Sequence, residues 1–508
     1  MKKAVILIMI LTIFSKFIGF FRDITLAYFY GASGVSDAYL IALTIPTVIF
    51  GFVATGISTG YIPMYSRIEA DHGEKDSKAY TNNLLNILWA LCTATVILGL
   101  IFTQPLVKIF ASGFEGEILE LAVSFTRITI VGIYFTMTIR ILSSYLNMKK
   151  YYVVPTLIGL PLNIVMIISI IISSKFDLVI VLAIGNLAAI MIQFAILMYF
   201  AYKKGFKYQF IFKPKDKHIK SMVILAIPVI IGSSVNQINK LVDRTLASQI
   251  SIGGISALNY ANTLNLFVQG VFVVSISTVM YPLISKMASK GNMEGLKRSV
   301  SQAINGISLL VVPATVGSLL FAEPIVALLF GRGAFDDSAI ALTSSAFFFY
   351  SIGMVAYGLR EVLSRAFYSL QDTRTPMVNA AIAMVLNIIL NFILARYMGI
   401  GGLALATSIA AIFGTILLFL SLRKKIGAFD MRQMSMSFLK ITIASIAMGA
   451  AAKILYNGLL PLLGSPISLV LSIAAAIVLY FVFVYILKIE DAQEMTHAIK
   501  KKLSRRPK

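Results

Sequence analysis

The sequence predicts an all-α polytopic membrane protein of about fourteen transmembrane helices, and three observations carry that reading. Apolar runs recur from end to end, each of about 18 or more residues and so able to cross the hydrocarbon core. Only 13% of the 508 residues are charged and the mean hydropathy is +0.87, whereas a soluble domain carries about 25% charge. The apolar residues come in blocks and do not alternate, which excludes a barrel. In lipid every backbone polar group must be paired within its own segment, so the blocks are helices.

Splitting the chain at its breaks places the helices near 4–30, 34–66, 81–103, 118–147, 152–174, 178–202, 220–248, 253–285, 299–321, 338–368, 376–396, 401–422, 434–456 and 465–487. The first is read as an uncleaved span: two lysines precede it, but Lys16, Arg22 and Asp23 sit inside it and no small-residue cleavage site follows. With Met1 in the cytoplasm, inner segments hold about 30 of the 44 Lys and Arg, and outer loops hold Lys108, Lys175, Arg332 and Arg396. That asymmetry puts both termini in the cytoplasm. It also accounts for the net charge of +22 without a nucleic-acid partner. The basic loop 203–220 is read as a topology anchor, with anionic lipid headgroups as the alternative partner. Cys92 is the single cysteine, so neither a disulfide framework nor a thiolate metal site exists, and His72, His218 and His497 all fall in cytoplasmic segments.

Landmarks recur at a nearly fixed offset. Asp23, Thr25, Leu26 and Ala27 reappear as Asp243, Thr245, Leu246 and Ala247, 220 residues on. Gly34 and Ser36 match Gly254 and Ser256; Pro63, Pro105, Arg140 and Pro155 match Pro282, Pro324, Arg360 and Pro376. The sequence therefore reads as an N-lobe over 1–210, a C-lobe over 211–425, two added helices over 426–490 and a basic tail over 491–508. Six helices per lobe is an even number, so the copies share one orientation, with the substrate path expected at their interface. The function this implies is carriage of a substrate across the bilayer.

Charges inside spans are costly and mark function by default. Lys16, Arg22, Asp23, Asp37, Lys240 and Arg244 are the candidate substrate-binding residues, with Arg127, Arg140, Arg360, Glu361 and Arg365 at similar depth. Two readings compete for Arg22 and Asp23: an internal salt bridge, or a site for an anion. Surplus positive charge favours the anion, most simply a phosphorylated one, because guanidinium groups bind phosphate oxygens in pairs. Glu361 and Arg365, four apart, read as a salt bridge. Asn387 and Asn391, one turn apart, with Thr407 and Asp243 offer hard oxygen ligands for a small cation; hydrogen bonding between helices is the alternative. No nucleophile–base pair, metal triad or catalytic carboxylate pair stands out, so no enzyme activity and no cofactor are expected. A cationic-drug antiporter shares the two-lobe plan but calls for an acidic cavity.

Gly19-Phe-Phe-Arg22-Asp23 and Gly31-Ala32 with Asp37-Ala38 resemble the opening of the lipid II flippase (MurJ/MviN) family, within the multidrug/oligosaccharidyl-lipid/polysaccharide exporter superfamily. So do Asp243-Arg-Thr-Leu-Ala-Ser248, Ser256-Ala-Leu-Asn259-Tyr260-Ala-Asn262 and Ala366-Phe-Tyr-Ser-Leu-Gln-Asp-Thr-Arg-Thr-Pro376. The resemblance covers nearly the whole chain. It implies a monomeric flippase for an undecaprenyl-diphosphate-linked peptidoglycan precursor, with Arg22, Asp23 and Lys16 at the diphosphate. It further implies a sodium site on Asp243, Asn387, Asn391 and Thr407, and a groove for the lipid tail on the last two helices. Phe50, Thr55 and Thr263 stand where the family usually carries charge, which keeps another polyprenyl-diphosphate glycan open as the cargo.

Overall fold

The computed structural model describes residues 2–488, and His497 and the expected basic tail over 491–508 lie outside them. Among the described residues every regular element is helical. In chain order these are α1 (Lys2–Tyr30), α2 (Gly34–His72), α3 (Glu74–Ile101), α4 (Thr103–Phe110), α5 (Gly116–Thr129), α6 (Ile133–Met148), α7 (Val153–Leu157), α8 (Gly159–Lys175), α9 (Val181–Lys203) and α10 (Lys217–Ile250). They continue as α11 (Gly254–Val268), α12 (Val274–Ser289), α13 (Met293–Leu320), α14 (Ala322–Leu329), α15 (Asp337–Ile352), α16 (Met354–Ser369), α17 (Arg374–Ile426) and α18 (Met431–Ile486).

Side-chain oxygens start several of them: Ser33 accepts from the Ser36 amide, Asp216 from His218, Asn292 from Gly295 and Asp430 from Gln433, each satisfying a first-turn donor. The element order repeats as the sequence landmarks do. The eight-residue α4, with Pro105, is matched by α14, with Pro324. A short 3-10 turn ending at Gly132 divides α5 from α6, and a 46° bend divides α15 from α16 beside Gly353.

Among the described residues nine helical stretches are long and apolar enough to cross a membrane, or ten when α15 and α16 count as one bent span. Two of the nine are double-length. α17 has 53 residues and α18 has 56, about 80 Å each at 1.5 Å per residue. Each is interrupted once, at Gly399 (φ 55°) and Gly464 (φ 71°), a backbone region that residues with a Cβ rarely adopt. Both interruptions fall where the apolar pattern breaks.

The chain forms two compact units. One comprises Met1–Ser256 with Arg332–Asp336, the other Ala257–Gly331 with Asp337–Lys508. The first unit includes α10, which the repeat assigns to the second lobe. Its reason lies on α2, where Gly51, Gly56 and Gly60 form a seam. A Cβ on those glycines would come within 2.8 Å of Gln237, 3.0 Å of Ala226 and 2.8 Å of Met222, all on α10. Small residues let membrane helices approach this closely. The unit's core gathers Tyr61, Tyr65, Tyr80, Tyr145 and Phe206 with aliphatic residues of α2, α3, α6 and α9. Three asparagines of α3 pin the basic loop alongside it: Asn82 donates to the Lys207 carbonyl, Asn83 exchanges two bonds with Lys213, and Asn86 donates to Ile211.

In the second unit α13 and α14 pack on α18 through Leu309, Val312, Phe321, Ile441, Met448 and Tyr480. Asp372, in the turn before α17, accepts from the amide and hydroxyl of Thr375 and from Lys425 at the far end of that helix. The Lys425 hydrogen bond, with those from Thr375, holds the Asp372 carboxyl down to about 2 from its ordinary 3.8. A depressed carboxylate stabilises the fold above its unfolded value and loses that contribution as pH falls through the folded one. The stabilisation is about 1 kcal/mol once solvent screening is allowed for. Protection of the Thr375 amide against hydrogen exchange is therefore expected to fall between pH 4 and pH 2 in the wild-type protein. Lys425→Met should flatten that dependence, and an unchanged profile would remove the clasp.

Candidate substrate-binding site

Arg22 and Asp23 lie deep in α1, eight and seven residues before its end at Tyr30. Adjacent positions on a helix point about 100° apart, so the long arginine must fold back to reach its neighbour. It does so. Nε and Nη2 donate to Asp23 Oδ1 at 3.0 and 2.7 Å, while Nη1 donates to Asn163 Oδ1 of α8 at 3.1 Å. Asn163 is itself oriented by its own amide, which donates to the Gly159 carbonyl at 2.8 Å. Met166 Sδ sits 3.9 Å from Nη1. The internal salt bridge is thus formed, yet the Arg22 side chain stays 28% exposed against 11% for Asp23. Of the five N–H groups on a guanidinium, three meet oxygen among the described residues. Lys16, two turns earlier on α1, is exposed.

Asp37 is committed differently from a substrate contact. Its side chain, buried in the first turn of α2, accepts from the Gly253 amide at 2.8 Å and from the Ser256 amide and hydroxyl at 2.7 Å each. Arg244 on α10 joins the same segment, donating from Nη1 to the Ile255 carbonyl at 2.9 Å. Two of the expected ligands therefore hold the turn between α10 and α11. The remaining cation of the expected set, Lys240, is exposed on α10. Glu361 and Arg365 form the expected pair at 2.8 Å.

The candidate cation ligands divide between the units. In the first, Asn239 donates to Asp243 Oδ2 at 3.3 Å. In the second, Asn391 donates to Asn387 Oδ1 at 3.1 Å, Asn387 donates to Thr407 Oγ1 at 3.3 Å, and Thr407 donates to the Leu403 carbonyl. Both asparagines are buried. Carboxamide and hydroxyl oxygens are the donor set a small hard cation takes, so the chemistry of these residues fits one. The chain of hydrogen bonds is also the alternative expected from the pattern.

Where charge was expected by family resemblance, the structure has none to offer. Phe50 is 3% exposed in the aromatic core, and Thr55 and Thr263 return their hydroxyls to the carbonyls of Gly51 and Asn259. Asn163 is the functional neighbour that sequence reasoning missed. Its signal was a carboxamide amid the apolar run of 159–175, beside Pro161.

The family described as "Lipid II flippase MurJ" matches residues 26–481. A relative from Thermotoga maritima, named "Probable lipid II flippase MurJ", is 29% identical over 487 residues, covering 95% of this chain and 96% of that protein. Among solved structures, "Lipid II flippase MurJ, inward closed conformation" aligns with a TM-score of 0.82 at 29% identity, over 95% of this chain and 98% of its own. An inward-facing multidrug resistance MATE transporter of the MOP superfamily aligns at 0.70 with 17% identity, over 81% and 94%, and shows a shared fold.

Proposed function

The chain belongs to the lipid II flippase MurJ family, and from that membership we propose that it translocates lipid II, the undecaprenyl-diphosphate-linked peptidoglycan precursor, from the inner to the outer leaflet by alternating access. The observation that carries the reading is the span of the family match, which takes in the first copy of the repeat from residue 26, all of the second and most of the last two helices. The second cargo, another polyprenyl-diphosphate glycan, draws only on Phe50, Thr55 and Thr263, and the family match does not favour it.

In this reading Asp23 and Asn163 hold the Arg22 fork ready, and the diphosphate takes the N–H groups they leave uncommitted. Lys16 and Lys240 add positive charge along the route. Asp37 and Arg244 act one step back by fixing the segment 251–256. Asp243, Asn387, Asn391 and Thr407 are the ligands proposed for a coupling sodium ion. No covalent step is involved, and the protein acts as a monomer with both termini in the cytoplasm. Fourteen crossings follow when α17 and α18 each count as two and α1 and α10 are added to the ten.

The test is transport in proteoliposomes with a fluorescent lipid II analogue, at matched insertion. Protein-dependent movement between leaflets, faster with a sodium gradient than a potassium gradient, is the expected result. Movement no faster than in empty liposomes overturns the function. Equal rates in both gradients remove sodium alone, and movement of another polyprenyl-diphosphate glycan in place of lipid II transfers the reading to that cargo.

A further inference from the structure

One arginine at membrane depth lacks the partners that Arg22 has. Arg140 falls within the candidate span Gly116–Met148, eight residues before α6 ends at Met148, or about 12 Å by the helical rise. It is exposed, and no carboxylate forms an ion pair with it among the described residues. An ionised side chain at such depth faces a bundle interior or a wet cavity, because bare lipid penalises it. The repeat supplies a control. Its counterpart Arg360 lies over the Tyr357 ring, 5.2 Å from the centroid, and the position matching Tyr357 is Met137, fully buried. One copy satisfies the cation internally; the other leaves it open.

Arg140 lines a cavity of about 610 Å³ that lies within the first unit. That size is in the range of small-molecule sites, about 300–1,000 Å³. Thr136, Arg140, Ser143 and Asn147 share one face of α6, four and three residues apart, and all four line it. Tyr152, Thr156 and Gln193 complete the polar part of the wall. Gln193 is anchored, its amide donating to the Ile158 carbonyl at 2.7 Å. The lining holds one cation, several hydroxyls and carboxamides, and no acid. A guanidinium ringed by neutral hydrogen-bonding groups suits an oxyanion that carries further oxygens. A side chain that merely snorkelled to the interface would need no such wall.

We propose that this cavity is a second phosphate-recognising site, taking the phosphate headgroup of an isoprenyl diphosphate or of an anionic membrane lipid. The assignment does not rest on the transport reading, since binding here is measured without transport. Trp89, the only tryptophan, donates from Nε1 to Thr138 Oγ1 at 2.9 Å and so reports on α6. Farnesyl diphosphate is titrated into Arg22→Ala protein in nanodiscs of zwitterionic lipid, which silences the first site, with Trp89 emission and binding of radiolabelled farnesyl diphosphate followed together. Saturable binding is expected, weakened about tenfold or more by adding Arg140→Ala and less by Arg140→Lys. Nanodiscs containing phosphatidylglycerol separate the two sources. Arg140-dependent exclusion of farnesyl diphosphate identifies a lipid headgroup, and undiminished binding identifies the diphosphate. Absence of saturable binding, or equal affinity with and without Arg140, overturns the site whether or not the protein flips lipid II.

Discussion

Arg22→Ala is expected to abolish rescue of a flippase-depleted bacterium while the protein still reaches the membrane at wild-type levels. The variant deletes the donors that meet Asp23 and Asn163 and leaves a carboxylate, 11% exposed, without its cation. Breaking a buried pair from one side costs about 3–5 kcal/mol, so loss of function alone would not separate binding from folding. The double variant Arg22→Ala/Asp23→Ala removes both charges and should recover most of the thermal stability. Transport should stay down by about a hundredfold, the worth of two charge-assisted hydrogen bonds to a phosphate. Arg22→Lys keeps the charge but not the fork, and its transport should fall between wild type and Arg22→Ala. Stability and transport measured on all three decide the matter. If the double variant recovers transport along with stability, Arg22 is a structural ion pair and the diphosphate binds elsewhere.

Charge and hydropathy carried most of the architecture because lipid punishes every unpaired group. The expected gaps at 397–400 and 457–464 contain Gly399 and Gly464, where the structure breaks its two longest helices. The pattern read them as loops; the chain interrupts each helix with a single glycine instead. The partnership of α10 was less legible. Its repeat position points to the second lobe, yet packing with α2 depends on three glycines whose significance appears only once a facing helix is known.

The site divides the same way. Arg22, Asp23, Asp37 and Arg244 stood out because ionised groups inside spans are expensive. What they bind did not, because backbone amides at 253 and 256 and a carbonyl at 255 have no signature in a sequence. Glu361 and Arg365 were legible as a pair because helical spacing alone brings them together. Arg140 was visible as a charge, and the wall around it only in three dimensions, since Gln193 comes from α9, 53 residues further along the chain.

Asp37→Asn is expected to release the segment 251–256, an effect far larger than one atom would imply. The wild-type carboxylate, 1% exposed, is acceptor-only and meets three donors: two amides and one hydroxyl. Asparagine retains one acceptor oxygen and turns an NH2 group toward at least one backbone N–H, which cannot accept from it. Each lost bond to a charged group removes about 1.5–3 kcal/mol, and the stranded amides add their own desolvation penalty. Hydrogen exchange at Gly253 and Ser256 should therefore accelerate by at least about a hundredfold, with proteolysis newly directed to 251–256. Ser256→Ala deletes a single donor and should change exchange by about tenfold or less. Helices α3 and α9, remote from this turn, should keep their protection in both variants. The same segment carries the Ile255 carbonyl that Arg244 holds, so transport should fall in step with exchange. Unaltered exchange at both amides in Asp37→Asn, with transport lost, would return Asp37 to the substrate.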